Sequence, residues 1–187
     1  MQAMARFGRF LVMLAALLSS PLLGSPLYAA PPELSQYKLG AGDVISVRVL
    51  GEDDLKREHV KLSDAGTMSF PILGEFKVKG MTVGDLEDYI TRGLKGRYLV
   101  NPQVTVSIDE YRNFYVNGMV EKPGGYAFSP GLTVRKAVSI AGGFKERAAR
   151  DKISVIHDDD PKQTPHKVDL NTALLPGDIV TVEASFF

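Results

Sequence analysis

Two short phrases each occur twice in this chain, and together they restrict its fold more than any other feature. Gly42-Asp43-Val44-Ile45-Ser46-Val47 is echoed by Gly177-Asp178-Ile179-Val180-Thr181-Val182, and Gly80-Met81-Thr82-Val83 by Gly131-Leu132-Thr133-Val134. In the first phrase a glycine and an aspartate supply a turn, and an alternating run follows, the period of a half-buried strand. In the second, a glycine, an apolar residue and a capping threonine open a helix, the threonine accepting an otherwise unpartnered N–H. A chain that repeats both a strand opener and a helix opener reads as α+β. We read two small units, each a twisted sheet covering one main helix, with the boundary near Glu110.

The remaining elements follow the same rules. Val47 and Val49 alternate with Ser46 and Arg48, so a strand covers 44–49. Ser63-Asp64-Ala65-Gly66 is a turn into a strand from Thr67 to Leu73, and Gly74 and Gly80 bracket another from Glu75 to Lys79. Thr82 with Asp85 makes a capping box, Val83, Leu86, Ile90 and Leu94 share one helical face, and Gly96 ends the helix. Val104, Val106 and Ile108 alternate in a strand. In the second unit, strands are expected at 114–120 and 125–128 around the turn Lys122-Pro123-Gly124-Gly125. The second helix carries Val134, Ala137, Val138 and Ala141 on one face and stops at Gly142-Gly143; strands at 153–156, 167–170 and 179–183 follow.

The first thirty residues read as an address. Arg6 and Arg9 precede an apolar run from Phe10 to Leu18, and Leu27-Tyr28-Ala29-Ala30 offers the small-residue end of a secretory signal peptide. The apolar run is shorter than the about 20 residues of a membrane span. Cleavage is expected after Ala29, because cleavage after Ala30 would leave Pro31 at the new N-terminus; an uncleaved anchor is the alternative, since apolar residues resume at Leu22 and Leu23. Residues 30–36 are then a short lead-in. Leu22-Leu23-Gly24-Ser25 has the form of a lipoprotein signal except that Ser25 stands where the acylated cysteine is needed, so the exported protein is expected not to be lipidated.

Composition narrows the chemistry. The chain of 187 residues has no cysteine, which excludes disulfides, thiolate metal sites and thiol catalysis. Its 22 basic and 22 acidic residues cancel, so no overall positive field favours nucleic acid. Gly40-Ala41-Gly42 is a turn rather than a dinucleotide loop, because Ile45 stands where the third glycine belongs and a strand follows. His157-Asp158-Asp159-Asp160 could hold a hard cation but reads as a solvated hairpin tip before Pro161. His59, His157 and His166 are scattered over turns and edges and read as surface residues. Tyr111-Arg112-Asn113-Phe114-Tyr115 could stack a sugar or a base; the plainer reading is a domain junction with Phe114 and Tyr115 on opposite strand faces. Val180, Val182, Ala184 and Phe186 alternate toward Phe187 as in a barrel strand, but a barrel needs at least about eight such strands and no capped helices. The sequence gives no catalytic, metal or cofactor site and does not assign ligand-binding residues.

The ordered motifs carry a family resemblance. Tyr37-x-Leu39-Gly40-x-Gly42-Asp43, Gly66-Thr67-x-Ser69-Phe70-Pro71-x-Leu73-Gly74, Gly80-x-Thr82-Val83 and Val100-Asn101-Pro102-Gln103-Val104 resemble the polysaccharide export domain of bacterial capsule and exopolysaccharide exporters. Val116-x-Gly118-x-Val120, Pro123-Gly124-x-Tyr126, Gly131-x-Thr133-Val134 and Ala141-Gly142-Gly143 resemble the soluble-ligand-binding β-grasp (SLBB) domain that follows it. The resemblance implies an export domain over 37–110 and a β-grasp-like SLBB domain over 111–187. It implies a non-enzymatic component of the periplasm and outer membrane that forms an oligomeric ring around a polysaccharide chain and works with an inner-membrane copolymerase. Larger relatives end in an amphipathic helix that forms the outer-membrane pore. With five residues after Val182, this chain is expected to act as a collar beneath another pore protein such as a β-barrel. A periplasmic oligosaccharide-binding module and a secreted hydrolase are the competing functions.

Overall fold

The computed structural model describes residues 36–185. The expected leader, its cleavage site at Ala29 and Ala30, and the terminal Phe186 and Phe187 lie outside the described residues. The chain is α+β, with two hydrophobic cores that follow one another along the sequence.

The first core is built on a three-stranded antiparallel sheet in the order β2-β1-β5, with β1 at Val44–Val49, β2 at Arg57–Lys61 and β5 at Val104–Glu110. Alternation in β1 sends Ile45, Val47 and Val49 inward. A hairpin of β3 (Thr67–Phe70) and β4 (Gly74–Lys77) adds Met68 and Phe70 to the same core. Helix α1 (Val83–Leu94) closes it with Leu86, Ile90 and Leu94. Its start is the expected capping box, in which Thr82 accepts from Asp85 N–H and Asp85 accepts from Thr82 N–H. Glu87 on α1 accepts the Val106 N–H at 2.8 Å, so the free edge of β5 is tied to the helix.

Strand β2 is the element the sequence does not announce. Arg57-Glu58-His59-Val60-Lys61 has no apolar alternation because it is a sheet edge, with most of its side chains in solvent and its backbone held by β1. Exposed pairs Arg48–Glu58 and Lys56–Glu58 decorate it at 3.1 and 2.7 Å.

The second core lies under a five-stranded sheet in the order β7-β6-β10-β8-β9. The strands are β6 (Phe114–Gly118), β7 (Gly124–Tyr126), β8 (Ala148–Ile156), β9 (His166–Val168) and β10 (Ile179–Ala184). Helix α2 (Val134–Ile140) buries Val134, Ala137 and Val138 against Phe114, Val116, Ile153, Val155, Val180 and Val182. The last strand, β10, sits in the middle, parallel to β6 and antiparallel to β8. A parallel pair requires a long crossover, here the whole stretch carrying α2, β8 and β9.

Several boundaries differ from the sequence reading. β6 stops at Gly118 rather than Val120, because the backbone turns left-handed there (φ 82°). β8 begins at Ala148 rather than Ile153, since pairing with Ala184 across a register break extends it through the polar stretch before Ile153. The end of α2 is a Schellman motif: Gly143 N–H reaches Val138 C=O and Gly142 N–H reaches Ser139 C=O, with both glycines at positive φ.

Candidate functional site at the junction of the two cores

The repeated Gly-Asp phrase folds into the same device twice. Asp43 and Asp178 are buried, at 0% and 1% exposure. Each turns its carboxylate back on the backbone three residues earlier: Gly40 N–H donates to Asp43 Oδ2 and Leu175 N–H to Asp178 Oδ2, both at 2.8 Å. Each thereby closes the tight turn that launches a central strand, β1 or β10. A carboxylate is used because it accepts several hydrogen bonds at once, and each buried one has a nitrogen-bearing partner.

For Asp43 the partner comes from the junction between the two cores. Arg112 donates its backbone N–H to Asp43 Oδ1 at 2.8 Å, and its guanidinium Nη1 lies 3.2 Å from Oδ2. The Tyr37 hydroxyl donates to the same carboxylate and accepts from Arg112. Burial, and then the adjacent Asp43 carboxylate, hold the Tyr37 phenol far above the ordinary tyrosine range, so it stays protonated. The other arm of the guanidinium, Nη2, pairs with Asp158 at 3.0 Å, and its plane lies over the Tyr37 ring, 5.3 Å from the centroid. Space for it is made at Gly177, where a Cβ would stand 2.8 Å from Arg112 Nε. Edge-to-face contacts run in parallel: Tyr37 to Tyr111 at 5.2 Å and Tyr111 to Phe128 at 5.4 Å carry packing from one core into the other.

Asp178 is held by His157, whose Nδ1 lies 3.0 Å from Oδ1. Burial raises the Asp178 pKa, opposed by the Leu175 N–H and by His157. Asp158, next to His157 in sequence, bonds to Arg112, so the two devices meet at one tip.

In front of this network lies a groove of about 440 Å³ between the cores. Lys61, Glu110, Asn113 and Tyr115 line its outer part; Arg112 and Gly177 form its floor. Lys61 and Glu110 both pair with Val44, one on either side of β1, so they stand at the same end of the first sheet.

Comparison with known proteins gives this arrangement a context. Residues 31–109 match the family model described as polysaccharide biosynthesis/export protein, and residues 113–165 match that of the SLBB domain. The chain carries a polysaccharide export domain followed by an SLBB domain. It is 33% identical over 162 residues to the exopolysaccharide production protein ExoF of Rhizobium meliloti, covering 77% of this chain and 36% of the relative. It is 29% identical over 133 residues to the EPS I polysaccharide export outer membrane protein EpsA of Ralstonia nicotianae, covering 58% of this chain and 35% of the relative. The chain thus spans about a third of the length of the curated relatives it matches.

Arg112 falls in the gap between the two matched segments, so the residue that ties the export domain to the SLBB domain belongs to neither match. The junction pentapeptide divides by role. Phe114 is fully buried in the SLBB core, Tyr111 packs against both cores, and Arg112 is the tie. Tyr115, on the opposite strand face from Phe114, and Asn113 point to solvent. Of the histidines, His59 and His166 are exposed, but His157 is a partner of a buried carboxylate rather than a plain surface residue. Asp158, Asp159 and Asp160 do sit in the turn between β8 and β9; Asp160 caps the Lys162 and Thr164 N–H groups, which lowers its pKa. Gly40 and Gly42 belong to the turn closed by Asp43. Sequence reasoning missed the Tyr37–Asp43–Arg112 network. The available signal was the repeated aspartate itself, since an acid that recurs at one place before two apolar strands is poorly suited to solvated charge.

Proposed function

We propose that the protein is an exported component of an exopolysaccharide export machine, associated with the outer membrane. In this reading, copies of the chain pack side by side with closed symmetry into a collar around the moving polymer. Its partners are the polysaccharide chain, an inner-membrane copolymerase and a separate outer-membrane pore protein of the β-barrel kind. The role is conduction without turnover. The observation that carries the proposal is the order of the two domains, an export domain followed directly by an SLBB domain. The junction supports it physically: a ring subunit must keep one shape under load, and a buried carboxylate with donors from both units fixes the angle between them. Among the described residues no helix is long and apolar enough to cross a membrane.

The test joins assembly to secretion. Light scattering after size exclusion, with and without the copolymerase, should find a ring-sized oligomer in at least one condition. Deletion of the gene should abolish polymer secretion. A strict monomer in both conditions together with normal secretion in the deletion strain would remove the proposal.

A further inference from the structure

We infer that the groove between the two domains is a subsite for a neutral sugar ring, which stacks on Tyr115 and is held at its edge by Asn113, Lys61 and Glu110. This rests on the export reading above and names what the site touches. The cleft holds unused bonding capacity. Among the described residues neither Lys61 nor Glu110 is in an ion pair, and the side chains of Asn113 and Tyr115 make no hydrogen bond to protein. Four side chains with free polar groups therefore converge on one cleft, while their neighbour Arg112 commits both Nη groups to the domain tie.

The platform is built into the sheet. Tyr115 lies between Gly125 on β7 and Ile179 on β10. A Cβ at Gly125 would come within 2.9 Å of the Tyr115 ring, so the ring lies down on bare backbone there. It nevertheless keeps 47% of its surface in solvent. A ring fixed on one side and open on the other is the geometry for stacking against a flat apolar face, and a pyranose presents one through its axial C–H groups. The edge groups decide the class. Lys61 donates, Glu110 accepts and Asn113 does both, which suits hydroxyls, themselves donors and acceptors. The positive charges of Lys61 and Arg112 are balanced by Glu110 and Asp158, so the cleft offers no net attraction to a phosphate or a uronate. The volume of about 440 Å³ lies within the range of ligand clefts, about 300–1,000 Å³.

The experiment is an NMR titration of the ¹⁵N-labelled full-length protein with cellohexaose, with hexagalacturonate in parallel. Cellohexaose should shift the resonances of Asn113 and Tyr115. Tyr115→Ala should weaken it roughly tenfold, the effect of losing one stacked ring. Tyr115→Phe should bind within about threefold of wild type, and Tyr98→Ala, which removes an exposed tyrosine outside the groove, should change nothing. Melting curves of the variants check the fold, and Tyr115→Leu, which keeps apolar bulk but removes the flat ring, carries the stacking test if Tyr115→Ala unfolds, with the same weakening expected. No shift up to the solubility limit, shifts away from the groove, binding of hexagalacturonate alone, or undiminished binding by a folded Tyr115→Ala would each overturn the subsite. The two readings fail separately. Lost secretion on deletion with no cellohexaose binding removes the subsite and leaves export; normal secretion with specific groove binding removes export and leaves the subsite.

Discussion

Asp43→Asn is the sharpest test of how the two domains are joined, because the change alters one atom in shape and reverses its hydrogen-bonding role. Asp43 Oδ1 accepts from the Tyr37 hydroxyl and the Arg112 N–H, and Oδ2 accepts from the Gly40 N–H, the Tyr37 hydroxyl and the Arg112 guanidinium. An asparagine must turn its NH₂ toward one of these sets. Facing Arg112 N–H, it leaves a backbone donor of the tie unpartnered; facing Gly40, it opposes a backbone donor and a cation. An orphaned buried donor costs about 1–3 kcal/mol, and removing one partner of a buried ion pair costs about 3–5 kcal/mol in all. Arg112 keeps Asp158, and its side chain is only 16% exposed, so solvent compensates little. At about 2–4 °C per kcal/mol for a chain of this size, the melting temperature should fall by about 6–20 °C. Thermal melts followed by circular dichroism on wild type, Asp43→Asn, Arg112→Met and the double variant give the assay. The double variant should be less destabilised than the sum of the singles, because the cation no longer lacks its partner. A loss below about 2 °C for Asp43→Asn, or strict additivity, would refute the reasoning.

Three further outcomes are expected. Gly142→Val should destabilise the SLBB domain by about 1–3 kcal/mol, the cost of a strained left-handed residue, since φ there is 86° and a Cβ would stand 3.0 Å from that of Glu121; an unchanged melting temperature would contradict it. Tyr37 has a folded pKa raised above its ordinary 10.0, so its contribution is fully present below pH 10 and is lost as pH rises through the folded value. The stability gap between wild type and Tyr37→Phe should therefore narrow in urea titrations carried from pH 8 to above pH 10, and a gap that stays constant would rule out the buried phenol as its source. Thr82→Ala should cost about 1 kcal/mol by removing the helix cap, and adding Asp85→Ala should bring a further loss of similar order, because the Asp85 carboxylate accepts the backbone N–H of residue 82, a bond that survives the first substitution; denaturant melts of the single and double variants measure this.

Local order was written plainly in the sequence. Alternation in Val44–Val49 and Val104–Glu110, the face Leu86, Ile90 and Leu94, the Thr82 and Thr133 caps and the glycine stop after α2 all depend on contacts within a few residues, and all are found in the structure. Strand β2 was hidden because an edge strand needs only its backbone to be paired, which places no demand on side-chain pattern. Of the groove residues, Tyr115 stood in a pentapeptide that the sequence already offered for stacking, whereas Lys61 and Glu110 were hidden, for they come from separate strands.

The chain by itself determined two glycine-punctuated α+β units and the order in which they come, because turns, caps and alternation act over a handful of residues. The motif series likewise carried the resemblance to export and SLBB domains. Only the tertiary structure decided that the last strand lies at the centre of the second sheet, parallel to β6, and that Asp43 and Arg112, 69 residues apart, share one buried bond network. Such pairings are set by which surfaces must be buried together and which charges must meet once water is excluded, and those conditions arise only when the two cores close on each other.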